Sequence, residues 1–219
     1  MEQIYQKVIE TAFQNAENGI SKITPEIIQM EGMSGTKTRH FYNNLLHTQP
    51  FGFNPRYLEI GTWKGSSVCS AMCGNKAKVV CIDNWSEFNG PKDEFLKNFH
   101  TYKGENDANF IESDSFQVNV DDLPKFNIYL YDGNHTVDCH YLALLHYYNC
   151  LDDTFIFIVD DWNCLDVRLG TLQAIKNLKL NVLFEKNIRL TYDNTHTPHH
   201  LAKTSWWNGI YAAVLQKNN

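Results

Sequence analysis

The sequence has no long hydrophobic run, no excess of basic charge and no paired cysteine framework, and each absence excludes something. No stretch approaches the ~20 consecutive apolar residues that a bilayer span needs, so no membrane-spanning helix is expected. The first residues, MEQIYQKVIETAFQNAENG, carry acids early and lack an apolar h-region, which argues against a secretory signal. With 19 Lys and Arg against 25 Asp and Glu, the net charge is −6 and no Lys/Arg-rich run stands out, so nucleic acid is not an expected partner. Six cysteines, at 69, 73, 81, 139, 150 and 164, form no CxxC. Cys69 and Cys73 stand four apart in an apparent helix without further zinc ligands. Scattered thiols of this kind fit a reducing, cytoplasmic setting. Repeats and low-complexity tracts are also missing.

What is present is an ordinary globular composition, 43% hydrophobic and 20% charged over 219 residues. That length supports one full core with a small appendage. Residues 1–50 read as helices broken by GISKITP and EGMSG, a helical cap ahead of a main domain over 51–219. Ile4, Val8, Ile9, Ala12, Phe13 and Ala16 fall at helical spacing and form a packing face.

From residue 56 strands and helices alternate. RYLEIG (56–61), KVVCID (78–83), NFIES (109–113), KFNIYLYD (125–132), TFIFIVDD (154–161), LNVLFEK (180–186) and NGIYAAVLQK (208–217) read as strands. Helices are expected at SSVCSAMC, 136–151 and 166–178. This alternation predicts an α/β fold, a doubly wound and mostly parallel sheet with helices on both faces. Residues 187–207 are unusually long for a connector, which points to a functional role.

Strand after strand is apolar until its C-terminal end and acidic there: Glu59, then Asp83, then Asp132, then Asp160 and Asp161. In a doubly wound sheet those ends share one edge, where ligands bind. The turn after the first strand, LEIGTWKG, spaces its glycines as Gly61-x-x-x-Gly65, without the middle glycine of the dinucleotide fingerprint. Asp83 follows about twenty residues on, where a carboxylate can take ribose hydroxyls.

YLEIGTWKGSS, CIDNW, ESDSF, LYDGNH and VDDW, in this order, resemble a class I S-adenosylmethionine-dependent methyltransferase, over roughly residues 33–217. Within that family the pattern is most similar to the metal-dependent O-methyltransferases of the catechol and macrocin types. The resemblance implies a Rossmann-like sheet of seven strands with the last antiparallel. It implies S-adenosylmethionine as cofactor, its methionine end at Glu59, Gly61 and Gly65, its ribose at Asp83 and its adenine bordered by Asp114 and Ser115. Trp85 is a further candidate against the adenine. Asp132 is placed at both the cofactor and the metal, and Asp132, Asp160 and Asp161 are the implied ligands of Mg2+ or another divalent cation. His135, in the D-G-x-H of Asp132-Gly133-Asn134-His135, is the implied general base.

The chemistry is coherent. Methyl transfer from a sulfonium needs an oxygen nucleophile stripped of its proton or lowered in pKa. A cation on carboxylates does the second and a histidine near neutral pH does the first. The expected acceptor is a hydroxyl on a small molecule or sugar, and self-association into a homo-oligomer stays open. Other residues have weaker claims: His196, His199 and His200 read as a solvent-facing loop, Trp206 and Trp207 as pocket wall or anchor, Ser34 and Arg39 as a reach toward the methionine carboxylate. The competing functions are a nicotinamide-dependent oxidoreductase, disfavoured by the glycine spacing, and a non-catalytic S-adenosylmethionine-binding protein.

Overall fold

A computed structural model describes residues 2–218. The strands are β1 (Arg56–Ile60), β2 (Lys78–Asp83), β3 (Asp107–Glu112), β4 (Phe126–Tyr131), β5 (Leu151–Asp160), β6 (Asn181–Ile188) and β7 (Ile210–Gln216). They form one sheet in the order β3-β2-β1-β4-β5-β7-β6. Strands β1 to β5 pair in parallel, and β7 runs antiparallel to both β5 and β6. The expected seven-stranded sheet with its last strand reversed is therefore the fold.

The helices are α1 (Glu2–Glu17), α2 (Pro25–Gln29), α3 (Thr36–Leu46), α4 (Ser66–Met72), α5 (Lys92–Tyr102), α6 (Val137–Tyr147), α7 (Leu165–Asn177) and α8 (His199–Ala202). They cover both faces of the sheet. Ile156 and Ile158 of β5 point into one layer with Phe13 of α1, Phe41 of α3 and Phe95 of α5. Phe155, Phe157 and Val159 point into the other, with Leu144 of α6 and Val167 of α7. A strand buried on both faces reads as a continuous apolar run, which is why TFIFIV shows no alternation. Residues of α1 and α3 share one core with the sheet, so the N-terminal helices complete a layer of the main fold.

Two boundaries differ from expectation by three residues or more. β5 begins at Leu151, three residues before the apolar run, because polar Asp152 and Asp153 disguise its start. There Arg56 pairs with Asp152, and Lys217 Nζ donates to the carbonyls of Tyr148 and Leu151 at 2.7 Å each. The helix expected over 136–151 ends at Tyr147 and gives way to a 3-10 turn, Tyr148–Cys150. The described cysteines are all unpaired. No helix among the described residues is long and apolar enough to cross a membrane.

Chain order reverses between β1 and β4: β1 leads to β2 on one side, while β4 and β5 lie on the other. Such a switch point opens a crevice beyond the carboxyl ends of the strands.

Candidate active site

The first wall of the crevice is the turn from β1 into α4. Gly61 has φ +84°, and a Cβ there would lie 1.9 Å from the carbonyl oxygen of Asp132. Glycine is thus required by the approach of β4's end to β1's, which draws the turn and Asp132 together. Gly65 opens α4 with φ +86°, again a left-handed conformation that glycine adopts without strain. Asp83 closes the turn from β2. Its Oδ2 accepts the backbone N–H groups of Thr62 and Trp63 at 2.8 Å each, and its Oδ1 accepts that of Trp85 at 2.7 Å. A carboxylate has about four lone-pair sites. Three are used by backbone donors, leaving Oδ1 of this half-buried side chain room for about one ligand hydroxyl.

Glu59 lies beneath the turn, fully buried. Tyr57 donates to its Oε2 at 2.6 Å and Ser67 to its Oε1 at 2.5 Å, tying β1 to α4. Burial pushes its carboxyl up to about 8, against the lowering effect of both hydroxyls. Trp85 is 7% exposed, packs on Phe95 at 4.8 Å between ring centroids, and donates Nε1–H to the Trp63 carbonyl at 2.8 Å. Its visible work is to brace the turn from below. Asp114 and Ser115 sit beyond β3: Asp114 accepts the N–H of Phe116 at 2.8 Å, and the Ser115 carbonyl accepts the hydroxyl of Tyr147 at 2.6 Å.

The second wall is built at the ends of β4 and β5. Among the described residues, Asp132, His135 and Asp161 bring ligand atoms within 4.8 Å of one another. His135 Nε2 is 3.0 Å from Asp161 Oδ2 and 4.0 Å from Asp132 Oδ1. Asp161 has φ +55°, a left-handed conformation that aspartate tolerates better than most residues and that turns its carboxylate across the crevice. Asp160 is turned away from this grouping. Its Oδ1 accepts the backbone N–H of Asp161 at 2.9 Å, and its Oδ2 faces the Tyr42 hydroxyl at 3.4 Å.

The charges of this wall are strongly coupled. Burial, with the neighbouring Asp161 charge, pushes Asp132 up to about 6 despite the opposing pull of His135. Burial followed by the Asp132 and Asp161 charges drives Asp160 well above the carboxylate range. Burial would raise Asp161 too, but its contact with His135 and the hydrogen bond from Asn208 hold it below that range. Burial alone would lower His135, and the two carboxylates overcome this and push it up to about 11. The imidazole is therefore protonated at neutral pH so long as both carboxylates keep their charge for it.

The carboxylates of Asp132 and Asp161, brought together from the ends of β4 and β5, are hard oxygen donors that suit a divalent cation of the Mg2+ or Mn2+ kind. The set fits, with Asp132 and Asp161 as its oxygen donors.

Sequence reasoning missed Asn208 and Asn163. Asn208 Nδ2 donates to Asp161 Oδ1 at 2.5 Å, and the fully buried Asn163 accepts the N–H groups of Leu190 at 2.8 Å and Thr191 at 3.3 Å. For Asn208 the signal available was an asparagine directly before a glycine ahead of a strand, which reads as a turn and nothing more. His196, His199 and His200 are exposed as expected, but His199 and His200 open the short helix α8 rather than lying in a loop. Trp206 is an anchor: 2% exposed, packed on Phe13 and Phe41, its Nε1–H donated to Glu17 at 2.7 Å. Arg39 is 3% exposed, and its Nη1 donates to the carbonyls of Ile27, Ile28 and Met30, at the end of α2.

A reversed seventh strand, a glycine turn after β1 and acids at successive strand ends give the chain the Rossmann-like fold of class I S-adenosylmethionine-dependent methyltransferases. Residues 58–162 match a family model described as a methyltransferase domain. No curated protein matches the sequence. Solved structures share the fold at low identity. An O-methyltransferase of Bacillus cereus in complex with S-adenosylhomocysteine is 15% identical with a TM-score of 0.55, covering 98% of this chain and 91% of its own. A protein of Klebsiella pneumoniae assigned as an O-methyltransferase is 15% identical with a TM-score of 0.56, covering 95% and 90%. One of Pyrococcus horikoshii assigned as an RNA methyltransferase is 12% identical with a TM-score of 0.58, covering 94% and 97%.

Proposed function

We propose that this methyltransferase transfers the methyl group to a hydroxyl oxygen of a small molecule or sugar, with a divalent cation at Asp132 and Asp161 and with His135 as the base. The observation that carries this reading is the imidazole of His135, 3.0 Å from Asp161 and 4.0 Å from Asp132, on the wall facing the glycine turn. An amine acceptor would need no such acid-and-imidazole corner, because its lone pair is available once it is neutral.

The cofactor is proposed to lie along the turn, its methionine end over Gly61 and Gly65 and its ribose on the open lone pair of Asp83. Glu59 supports that turn from beneath, and Asp114 and Ser115 border the adenine end. A divalent cation, when bound, supplies Lewis acidity to the acceptor oxygen and takes up carboxylate charge that otherwise holds His135 protonated. His135 then accepts the hydroxyl proton at Nε2. The oxygen lone pair forms the new bond to the methyl carbon while the carbon–sulfur pair stays with sulfur, leaving S-adenosylhomocysteine as a neutral thioether. Asp160, away from the corner, is not needed as a ligand; its buried carboxyl bonds to Tyr42 and the Asp161 backbone.

The test is release of S-adenosylhomocysteine from S-adenosylmethionine with a panel of catechols, sugars and glycosides, with Mg2+ or Mn2+ and with excess chelator. Cation-dependent methylation at oxygen supports the reading. Full turnover in chelator overturns the metal's part, and methyl found on nitrogen or on added RNA overturns the acceptor class.

A further inference from the structure

We propose that Asn208 is a positioning residue for the Asp132/His135/Asp161 corner and couples the 189–207 segment to it, an inference that rests on the metal-assisted reading. Asn208 stands just before β7 and is 6% exposed. One side-chain amide makes three connections. Its Nδ2 donates to Asp161 Oδ1 at 2.5 Å and lies 2.8 Å from His196 Nδ1, and its Oδ1 accepts the backbone N–H of Thr197 at 2.9 Å. Asp161 is thereby held at both oxygens, Oδ1 by Asn208 and Oδ2 by His135. With its backbone already left-handed, the carboxylate is fixed in plane and direction.

The residue type matters. A lysine or arginine here would neutralise Asp161 and oppose a cation, whereas an amide orients the carboxylate and leaves its charge intact. Because Nδ2 is a donor, His196 accepts at Nδ1 and carries its proton on Nε2, so this exposed imidazole is fixed in one tautomer beside the corner. The segment that composition marked as too long for a connector is thus joined to the acidic wall through a single side chain.

Asn163 provides an internal control. It pins the same segment through Leu190, Thr191 and Thr197 Oγ1, the last at 3.0 Å, and its side-chain hydrogen bonds go to that segment rather than to Asp161. The experiment uses the full chain and two titrations, Mn2+ followed by electron paramagnetic resonance and S-adenosylhomocysteine followed by calorimetry. Asn208→Ala and the volume-preserving Asn208→Leu are expected to lower Mn2+ affinity by about 10- to 100-fold, the usual loss for a partner behind a metal ligand. S-adenosylhomocysteine affinity should stay at the wild-type level, which also certifies the fold. Asn163→Ala should leave Mn2+ affinity unchanged.

Wild-type Mn2+ affinity in the Asn208 variants overturns the proposal, as does an equal loss in Asn163→Ala, which would make Asn208 only a loop anchor. In the wild-type protein, Mn2+ should slow hydrogen exchange at the Thr197 amide, whose acceptor is Asn208. Unaltered exchange there overturns the coupling without recourse to a variant. A wild-type chain that binds S-adenosylhomocysteine but no Mn2+ overturns this proposal together with the metal reading. One that binds Mn2+ but not S-adenosylhomocysteine strikes the cofactor placement alone.

Discussion

The two walls of the crevice use carboxylates in opposite ways. On the turn side, Glu59 receives two hydroxyl donors and Asp83 three backbone N–H groups, so both are held by neutral hydrogen bonds. On the far side, Asp132 and Asp161 converge on the imidazole of His135, with the charge of buried Asp160 close behind them. Hydrogen-bonded acids of the first kind fix a backbone; acids of the second kind are costly until something positive joins them. The difference separates a wall that holds its shape from a wall that waits for charge, and the proposed function gives cofactor binding to one and proton and cation chemistry to the other.

The sharpest way to break that contrast is at His135. With an accepted hydroxyl substrate and cation, His135→Ala should lose roughly 10²–10⁴-fold in rate while keeping S-adenosylhomocysteine affinity. Because the carboxylates hold the imidazole protonated up to about 11, the base is silent at neutral pH until their charge is otherwise engaged. The acid limb of the pH–rate profile should therefore move to lower pH as cation is added. A limb that ignores cation, or a variant that keeps most of its rate, would put the proton transfer elsewhere.

The next effect lies on the opposite wall. Asp83→Ala removes one charge-assisted bond to ribose, about 1.5–3 kcal/mol, and should weaken S-adenosylhomocysteine by roughly ten- to a hundredfold. It should leave Mn2+ binding untouched, since Asp83 is not among the residues that converge on the corner. Calorimetry showing equal affinity in a folded variant would remove Asp83 from the cofactor site.

The sheet was legible because its signals are local: apolar runs, a glycine turn, and an acid where each strand stops. Positions of Asp132, His135 and Asp161 were legible for the same reason, since a strand's end fixes where its next residues emerge. What a linear pattern could not show is side-chain direction. Asp160 and Asp161 are neighbours in sequence, yet a left-handed backbone at Asp161 sends the two carboxylates to different surroundings. Trp85 follows Asp83, but the sequence does not show that its ring packs on Phe95 and its Nε1–H bonds to the Trp63 carbonyl. Asn208 was unreadable because Asp161 lies 47 residues away, and Asn163 because Leu190 lies 27 away.

A smaller effect sharpens the turn wall through stability. Glu59 is raised to about 8 in the folded protein against an ordinary unfolded value near 4.5. Below pH 4.5 both states are protonated and nothing is lost. Between 4.5 and 8 the unfolded state releases the proton first, so stability falls as pH rises, by at most ~1.4 kcal/mol per pH unit from this group. Glu59→Gln should remove that slope, so its advantage over wild type in denaturant unfolding should grow from pH 5 to 8 and then level. An advantage that does not change with pH would mean Glu59 ionises normally within its pair of hydroxyls.

The smallest effect decides what Trp85 is for. Trp85→Phe keeps an aromatic ring against Phe95 and deletes the Nε1–H bond to the Trp63 carbonyl. A neutral hydrogen bond of this kind contributes about 0.5–1.5 kcal/mol, and the carbonyl it leaves lies in a turn where water can replace the donor, so the loss should sit at the lower end. Since Trp63 N–H also binds Asp83, the cofactor should feel the change only through a looser turn. The expected result is a small drop in unfolding free energy with S-adenosylhomocysteine affinity nearly unaltered. Should affinity instead fall by an order of magnitude or more at unchanged stability, the indole is stacked on the adenine, and the turn wall binds its ligand through an aromatic face as well as through Asp83.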